Sequence, residues 1–215
     1  MIKFRIVLVE DDLQARKQMK TLLTSLIPDC QVDDYGDVAS ATCAITKQAS
    51  GPPFDVAILD FGLPKNYGDP PEIDESLCAL VRKVMPDALI VHISSYLNDE
   101  EVKKDLNQSH PAHKPRGLIL EKPGDPAQDM SRIRSALYAQ CIDWKLDALS
   151  GGTSSYYLLR GRPDLSSQSA TTLISDLCND LSAYWQHLDA QMQQRLLQYL
   201  DYEQSEDGRL RFFLK

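Results

Sequence analysis

Four short apolar runs, each broken off by a polar or charged residue, constrain this chain more than any other feature. They are Phe4–Val9 (FRIVLV), Val56–Leu59 (VAIL), Ala88–Ile93 (ALIVHI) and Leu118–Leu120 (LIL). Runs this short, and this rich in β-branched and aliphatic side chains, read as strands buried on both faces. Gln31–Tyr35 reads as a weaker fifth strand. The segments between them have apolar residues at helical spacing. Met19, Leu22, Leu23 and Leu26 form one such set, Leu77, Leu80, Val81 and Val84 a second, and Met130, Ile133, Leu137 and Cys141 a third. Shorter helices are expected at Ala39–Lys47 and Asp99–Leu106, with Pro64–Ile73 a Pro/Gly-rich loop. Five β-α units joined by helical crossovers give a parallel sheet covered on both faces, an α/β fold. The expected order is doubly wound, 2-1-3-4-5, with the ends of strands 1 and 3 side by side.

The residues that end the runs share a chemistry. Glu10, Asp11 and Asp12 follow the first strand, Asp60 the third, Ser94 and Ser95 the fourth, and Lys122-Pro123 the fifth. The carboxyl ends of parallel strands lie along one edge, where ligands of such sheets bind. Each group alone has a plainer reading. Asp60 suits a turn, and the Glu10–Asp12 cluster suits a helix N-cap, a role assigned here to Asp12. Together, carboxylates fit a small hard cation such as Mg²⁺, which takes oxygen ligands and keeps several waters. A hydroxyl and an ammonium remain to hold an anion, best read as a phosphoryl group placed on Asp60 as a carboxylate nucleophile.

The pieces IVLVEDD, VAILDFGLP, LIVHISS and LILEKP, in this order and spacing, resemble the receiver domain of two-component response regulators from Ile2 to about Leu149. The resemblance implies a flavodoxin-like fold. It implies that Asp60 takes phosphate from a sensor histidine kinase or a phosphotransfer protein, so that the chain is a phosphoacceptor and not an enzyme. By the same resemblance Glu10 and Asp11 position Mg²⁺, Asp11 the more directly, and the backbone carbonyl of Gly62 completes the metal site. Ser94 matches the switch hydroxyl, and Lys122, followed by Pro123, matches the lysine that contacts the phosphoryl group. Three features depart from the pattern. Lys65–Ile73 is several residues longer than the usual loop, Ile119 stands where an aromatic residue is common, and Glu121 adds a carboxylate before Lys122. Asp60-Phe61-Gly62 also spells a kinase metal motif, but no Gly-rich phosphate loop accompanies it.

The rest of the chain is less specific. The division expected is a receiver domain over 1–149, a linker over 150–165 and a helical output or dimerisation segment over 166–215. Ser150-Gly-Gly-Thr-Ser-Ser155 is the clearest linker. From Leu173 to Tyr199 apolar residues recur every three or four positions, as one long helix or a helical hairpin. Arg209–Lys215 alternates like a strand. Residues 150–215 carry six Lys/Arg and eight Asp/Glu, which disfavours a DNA-binding output. The net charge of −8 points the same way. Five cysteines without a C-x-x-C pair, no apolar run long enough to span a membrane and an opening unlike a signal peptide fit a cytoplasmic protein. His110-Pro-Ala-His113 and His187 read as ordinary surface histidines. The tail is expected to associate with a copy of itself, as a homodimer, or with a partner protein; a scaffold that never takes phosphate and a DNA-binding regulator are the alternatives.

Overall fold

A computed structural model describes residues 4–27, 30–47, 54–73, 76–85, 88–94, 117–121, 125–149, 170–188, 190–198 and 200–215. The chain divides into two units, Met1–Ile133 and Arg134–Lys215. The division falls inside a helix.

The first unit contains β1 (Arg5–Val9), α1 (Leu13–Leu26), β2 (Gln31–Tyr35), α2 (Val38–Lys47), β3 (Val56–Asp60), β4 (Gly62–Pro64), β5 (Pro71–Ile73), α3 (Ser76–Val84), β6 (Leu89–Ser94) and β7 (Gly117–Glu121). Five of these strands form one sheet in the order β2-β1-β3-β6-β7, with every pairing parallel. In sequence order of the sheet strands this is 2-1-3-4-5, the doubly wound order expected. Its strands are apolar because both faces are covered. Val7, Val9, Ala57, Leu59 and Ile90 pack with Val38, Ala41 and Ile45 of α2 and with Leu77, Cys78 and Val81 of α3. Ile6, Leu8, Val56, Ile58, Val91 and Ile93 on the other face are equally buried. Helix α1 buries Met19 and Leu23, one turn apart. It starts at Asp12, whose carboxylate accepts from the N–H groups of Gln14 (2.7 Å) and Ala15 (2.9 Å). Asp12 is thus the cap its position suggests.

Strand β3 is flanked by an aspartate at its start and ends in another. Asp55, fully buried, accepts from the Arg5 N–H at 2.7 Å through its carboxylate. Its main chain bonds Arg5 O (2.7 Å) and Leu89 N (2.9 Å), which ties β1, β3 and β6 together at the edge away from the site. The segment expected as a loop over Pro64–Ile73 is a hairpin instead: β4 and β5 pair antiparallel as Gly62↔Ile73, Leu63↔Glu72 and Pro64↔Pro71. Prolines are poor strand residues because they cannot donate. Here they sit opposite each other, and neither N–H is needed. A proline pair cannot exchange hydrogen bonds, so Leu63↔Glu72 is the hydrogen-bonded pair. Gly62 falls in a non-bonded pair, and its carbonyl stays outside the hairpin's own ladder. The tip turns at Gly68, whose φ is +91°. Asp69 there accepts from both Asn66 N (2.9 Å) and Asn66 Nδ2 (2.8 Å).

Helix α4 (Pro126–Leu149) runs from the first unit into the second. The second unit continues with α5 (Ala170–Tyr184), a 3-10 turn (Trp185–His187), α6 (Ala190–Leu196), β8 (Leu200–Gln204) and β9 (Leu210–Leu214). Of the long helix or helical hairpin expected from Leu173 to Tyr199, the structure has two helices separated by the 3-10 turn at Trp185–His187. Strand β9 falls where Arg209–Lys215 is expected to be a strand, and it forms an antiparallel hairpin with β8, which is not expected, as Leu200↔Leu214 to Gln204↔Leu210. Its turn places Gly208 at φ +82°. Tyr138 of α4 stacks on Tyr184 with ring centroids 3.9 Å apart. Trp185 packs on Phe212, centroids 4.7 Å apart. A groove of about 750 Å³ beside this pair is lined by Ser182, Trp185, Arg209 and Phe212 among others. The expected helix at Asp99–Leu106, the histidines 110 and 113, and the linker over 150–165 lie outside the described residues.

Candidate functional site

Parallel register builds the site. Val9 pairs with Leu59, so Glu10 and Asp60 are the next residues along two adjacent strands. Both continue the alternation of Ile6 and Leu8, and of Val56 and Ile58, and so start from the same sheet face. The chain bends at Asp11 directly after the strand, which brings its side chain back over the same edge. Glu10, Asp11 and Asp60 each offer one carboxylate oxygen, and these oxygens lie within 4.8 Å of one another. Glu10 is buried, Asp60 partly exposed and Asp11 exposed. The cluster therefore opens to solvent on one side.

Backbone contacts hold each carboxylate. Glu10 N donates to Tyr35 O at 3.1 Å, which fastens the end of β1 to β2. The Glu10 side chain accepts from Asp12 N at 3.2 Å. Asp60 accepts from the N–H of Phe61 at 2.6 Å, and Phe61 N also faces Ile93 O at 3.1 Å. Phe61 and Leu63 are buried, so the hairpin has its base in the core while residues 65–72 stand in solvent. Its tip carries Tyr67, which is 94% exposed. Lys65 O accepts from Ala39 N (3.1 Å), a first-turn N–H of α2. The hairpin does not bury Asp60.

Ser94 ends β6, one residue beyond Ile93, the register partner of Asp60. Its side chain is buried. Glu121 of β7 is the register partner of Ser94, and Ile119 that of His92. Lys122 and Pro123, next along the chain, lie outside the described residues, as does Ser95. The structure therefore brings together Glu10, Asp11 and Asp60, sets Gly62 two residues further on, and puts Ser94 on the adjacent strand end.

Three carboxylates this close repel one another unless a cation or protons intervene. All the side-chain donors are oxygens, and the open side leaves room for waters. A hard divalent cation of the Mg²⁺ class fits this set; a thiolate or imidazole metal has no ligand in it.

Among the features missed from sequence, Asp55 is a structural carboxylate whose only local signal is an acid before an apolar run. The β4–β5 hairpin and strand β8 also had local signals: Asn66-Tyr-Gly-Asp69 and Asp207-Gly208 are turn formers, the second standing just before the strand expected over Arg209–Lys215.

No family model matches the sequence, and neither does any curated protein. Solved structures similar in fold do exist. NtrX from Brucella abortus, in a crystal structure with ATP, is 21% identical and aligns over 69% of this chain and 30% of its own, with a TM-score of 0.51. A response regulator receiver domain protein (CheY-like) from Methanospirillum hungatei is 18% identical over 66% of this chain and 99% of its own, TM-score 0.49. A response regulator receiver protein from Sinorhizobium medicae is 21% identical over 64% and 96%, TM-score 0.48. At these identities the likeness is one of fold. Among the described residues no helix is long and apolar enough to cross a membrane.

Proposed function

We propose that this chain is a two-component response regulator whose receiver unit takes a phosphoryl group on Asp60. The observation that carries the reading is the convergence of Glu10, Asp11 and Asp60 at the carboxyl edge of a doubly wound sheet. An Asp60 carboxylate oxygen bonds to phosphorus as the donor's P–N bond breaks, and the donor histidine leaves as neutral imidazole after taking a proton. The donor is a sensor histidine kinase or a phosphotransfer protein. Glu10, Asp11, Asp60 and the Gly62 carbonyl would hold Mg²⁺, which offsets the charge of the entering phosphoryl oxygens. Ser94 accepts the role of switch hydroxyl and Lys122 that of phosphoryl contact. New contacts made only in the phosphorylated form shift an existing equilibrium between two conformations.

The partly exposed Asp60 favours this reading over a scaffold with a blocked site. A DNA-binding output is disfavoured in the second unit, where acids oppose three cations. Arg209 pairs with Asp207 (3.1 Å), Lys215 lies 3.8 Å from Asp201, and Arg211 faces Glu203 in register. The output proposed is instead association of the second unit with a copy of itself or with a partner protein, in the cytoplasm. The test is incubation with Mg²⁺ and acetyl phosphate, read by intact mass. One phosphoryl group should add to the wild type and none to Asp60→Asn. Equal uptake by the two proteins, or none by the wild type, sinks the reading.

A further inference from the structure

The main chain of the acidic cluster is held by a side chain from outside it. Arg16 lies in the first turn of α1, and its side chain is largely buried. One guanidinium N–H, on Nη1, donates to the main-chain carbonyl of Glu10. That carbonyl belongs to the peptide joining Glu10 to Asp11. Nε of the same guanidinium lies 3.3 Å from Asp34 Oδ2 near the end of β2. Asp34 also binds Lys20. On the β2 side the guanidinium rests against Gly36, where an added Cβ would come within 2.7 Å of Nη1.

These contacts form a clamp. Glu10 is fixed at its N–H by Tyr35 O and at its carbonyl by Arg16. The peptide plane that orients the Asp11 side chain is thereby set by α1 and β2 together. Arg16 reaches none of the proposed cation's oxygen ligands in this arrangement; it acts on their backbone. Its planar fork suits the task because one group can address a carbonyl and a carboxylate at once, which a lysine ammonium does less well. Gly36 bears on the clamp through steric room alone. Among the described residues the positive-φ glycines are Gly68 and Gly208, so alanine at 36 meets no backbone strain. It meets only the movable end of Arg16.

We propose that Arg16 is a positioning residue for the divalent cation, with Gly36 leaving the space its guanidinium occupies. The inference rests on the reading that Glu10, Asp11 and Asp60 hold Mg²⁺. Partners that orient metal ligands typically carry ten- to hundredfold in affinity, and a loss of about tenfold is expected here.

The experiment is calorimetric titration of the full chain with Mg²⁺ alone. It compares wild type, Arg16→Gln, Arg16→Lys, Gly36→Ala and Lys20→Gln, each checked for native circular dichroism. Arg16→Gln and Gly36→Ala should each weaken Mg²⁺ binding about tenfold. Arg16→Lys should fall between. Lys20→Gln, which removes a charge from the same Asp34 without touching Glu10, should bind as the wild type does. Gly36→Ala removes no charge, so its loss isolates position from electrostatics, and it decides the matter if Arg16→Gln does not fold. Wild-type affinity in Gly36→Ala and Arg16→Gln overturns the inference alone, as does an equal loss in Lys20→Gln. A wild-type protein that takes up no Mg²⁺ overturns this inference and the cation reading together.

Discussion

Replacing Asp60 by asparagine should stabilise the metal-free protein while abolishing its phosphorylation. Asp60 lies within 4.8 Å of both Glu10 and Asp11 through their carboxylate oxygens. Two like unit charges at about 4.8 Å repel by roughly 0.9 kcal/mol in bulk water and roughly 3.5 kcal/mol at an effective dielectric of about 20. The cluster sits at the rim of the sheet, with Asp11 exposed, so the lower half of that range applies and solvent screening reduces it further. A gain of about 1–2 kcal/mol is expected for Asp60→Asn without Mg²⁺. The amide oxygen keeps the 2.6 Å contact from Phe61 N, so packing and the local hydrogen bond are preserved. For a chain of this size the gain corresponds to roughly 2–8 °C in midpoint.

The assay is urea unfolding at low ionic strength with EDTA, followed by far-ultraviolet circular dichroism. Both tryptophans, Trp144 and Trp185, lie in the second unit, so their fluorescence follows that unit and separates it from the receiver unit. Adding Mg²⁺ should reverse the ranking. The wild type gains about 2.7 kcal/mol at a concentration near one hundred times its dissociation constant, and the variant gains little. Salt near 1 M should shrink the metal-free difference, because the screening length falls to about 3 Å. An Asp60→Asn protein no more stable than wild type in EDTA refutes the reasoning: the three carboxylates would then not be a strained constellation kept for its function.

Two further outcomes follow from the same structure. Asp12→Ala removes the acceptor for Gln14 N and Ala15 N and should cost about 1 kcal/mol in urea unfolding with Mg²⁺ affinity unchanged; a loss of affinity as large as that of Asp11→Asn would move Asp12 into the site. Burial, then the charge of Arg134, lowers the His187 pKa below its ordinary 6.5. The unfolded chain therefore binds that proton more readily, so this contribution to stability is complete above about pH 6.5 and is lost as pH falls toward the folded value. Tryptophan-monitored unfolding from pH 7 to 5 should show this small slope, and His187→Gln should flatten it; an unchanged slope in the variant assigns the pH dependence elsewhere.

The main sheet was legible because each strand carried a local signal. Val56–Leu59 is an apolar run bounded by acids and Phe4–Val9 one that an acid ends, and the helical stripes between them forced crossovers. Asp12 was legible as a cap for the same reason, since it precedes the first helical residue. The β4–β5 hairpin was not read, although its turn residues were visible, because Pro64 and Pro71 argue against strands when taken singly. Only their placement opposite each other makes them harmless. One long helix and a helical hairpin stayed equally open from Leu173 to Tyr199, because the apolar stripe continues in step past the point at Trp185 where the chain tightens into a 3-10 turn. The alternation in Leu200–Gln204 was too polar to stand out, its side chains from Asp201 to Gln204 being exposed.

The sequence by itself determined which chemistry each strand end carries: carboxylates after strands 1 and 3, a hydroxyl after the fourth and a lysine after the fifth. Residue type and period-two or helical spacing are local properties, and a single strand or helix expresses them wherever it is placed. Only the tertiary structure decided that Val9 meets Leu59, and hence that Glu10 stands beside Asp60. Shifting that pairing by one residue would turn one carboxylate to the opposite face. The choice of register is made by burial on both sheet faces, between residues some fifty positions apart. The clamp of Arg16 on the Glu10 carbonyl, and the room that Gly36 leaves for it, depend on the same long-range packing and leave no periodic trace in the chain.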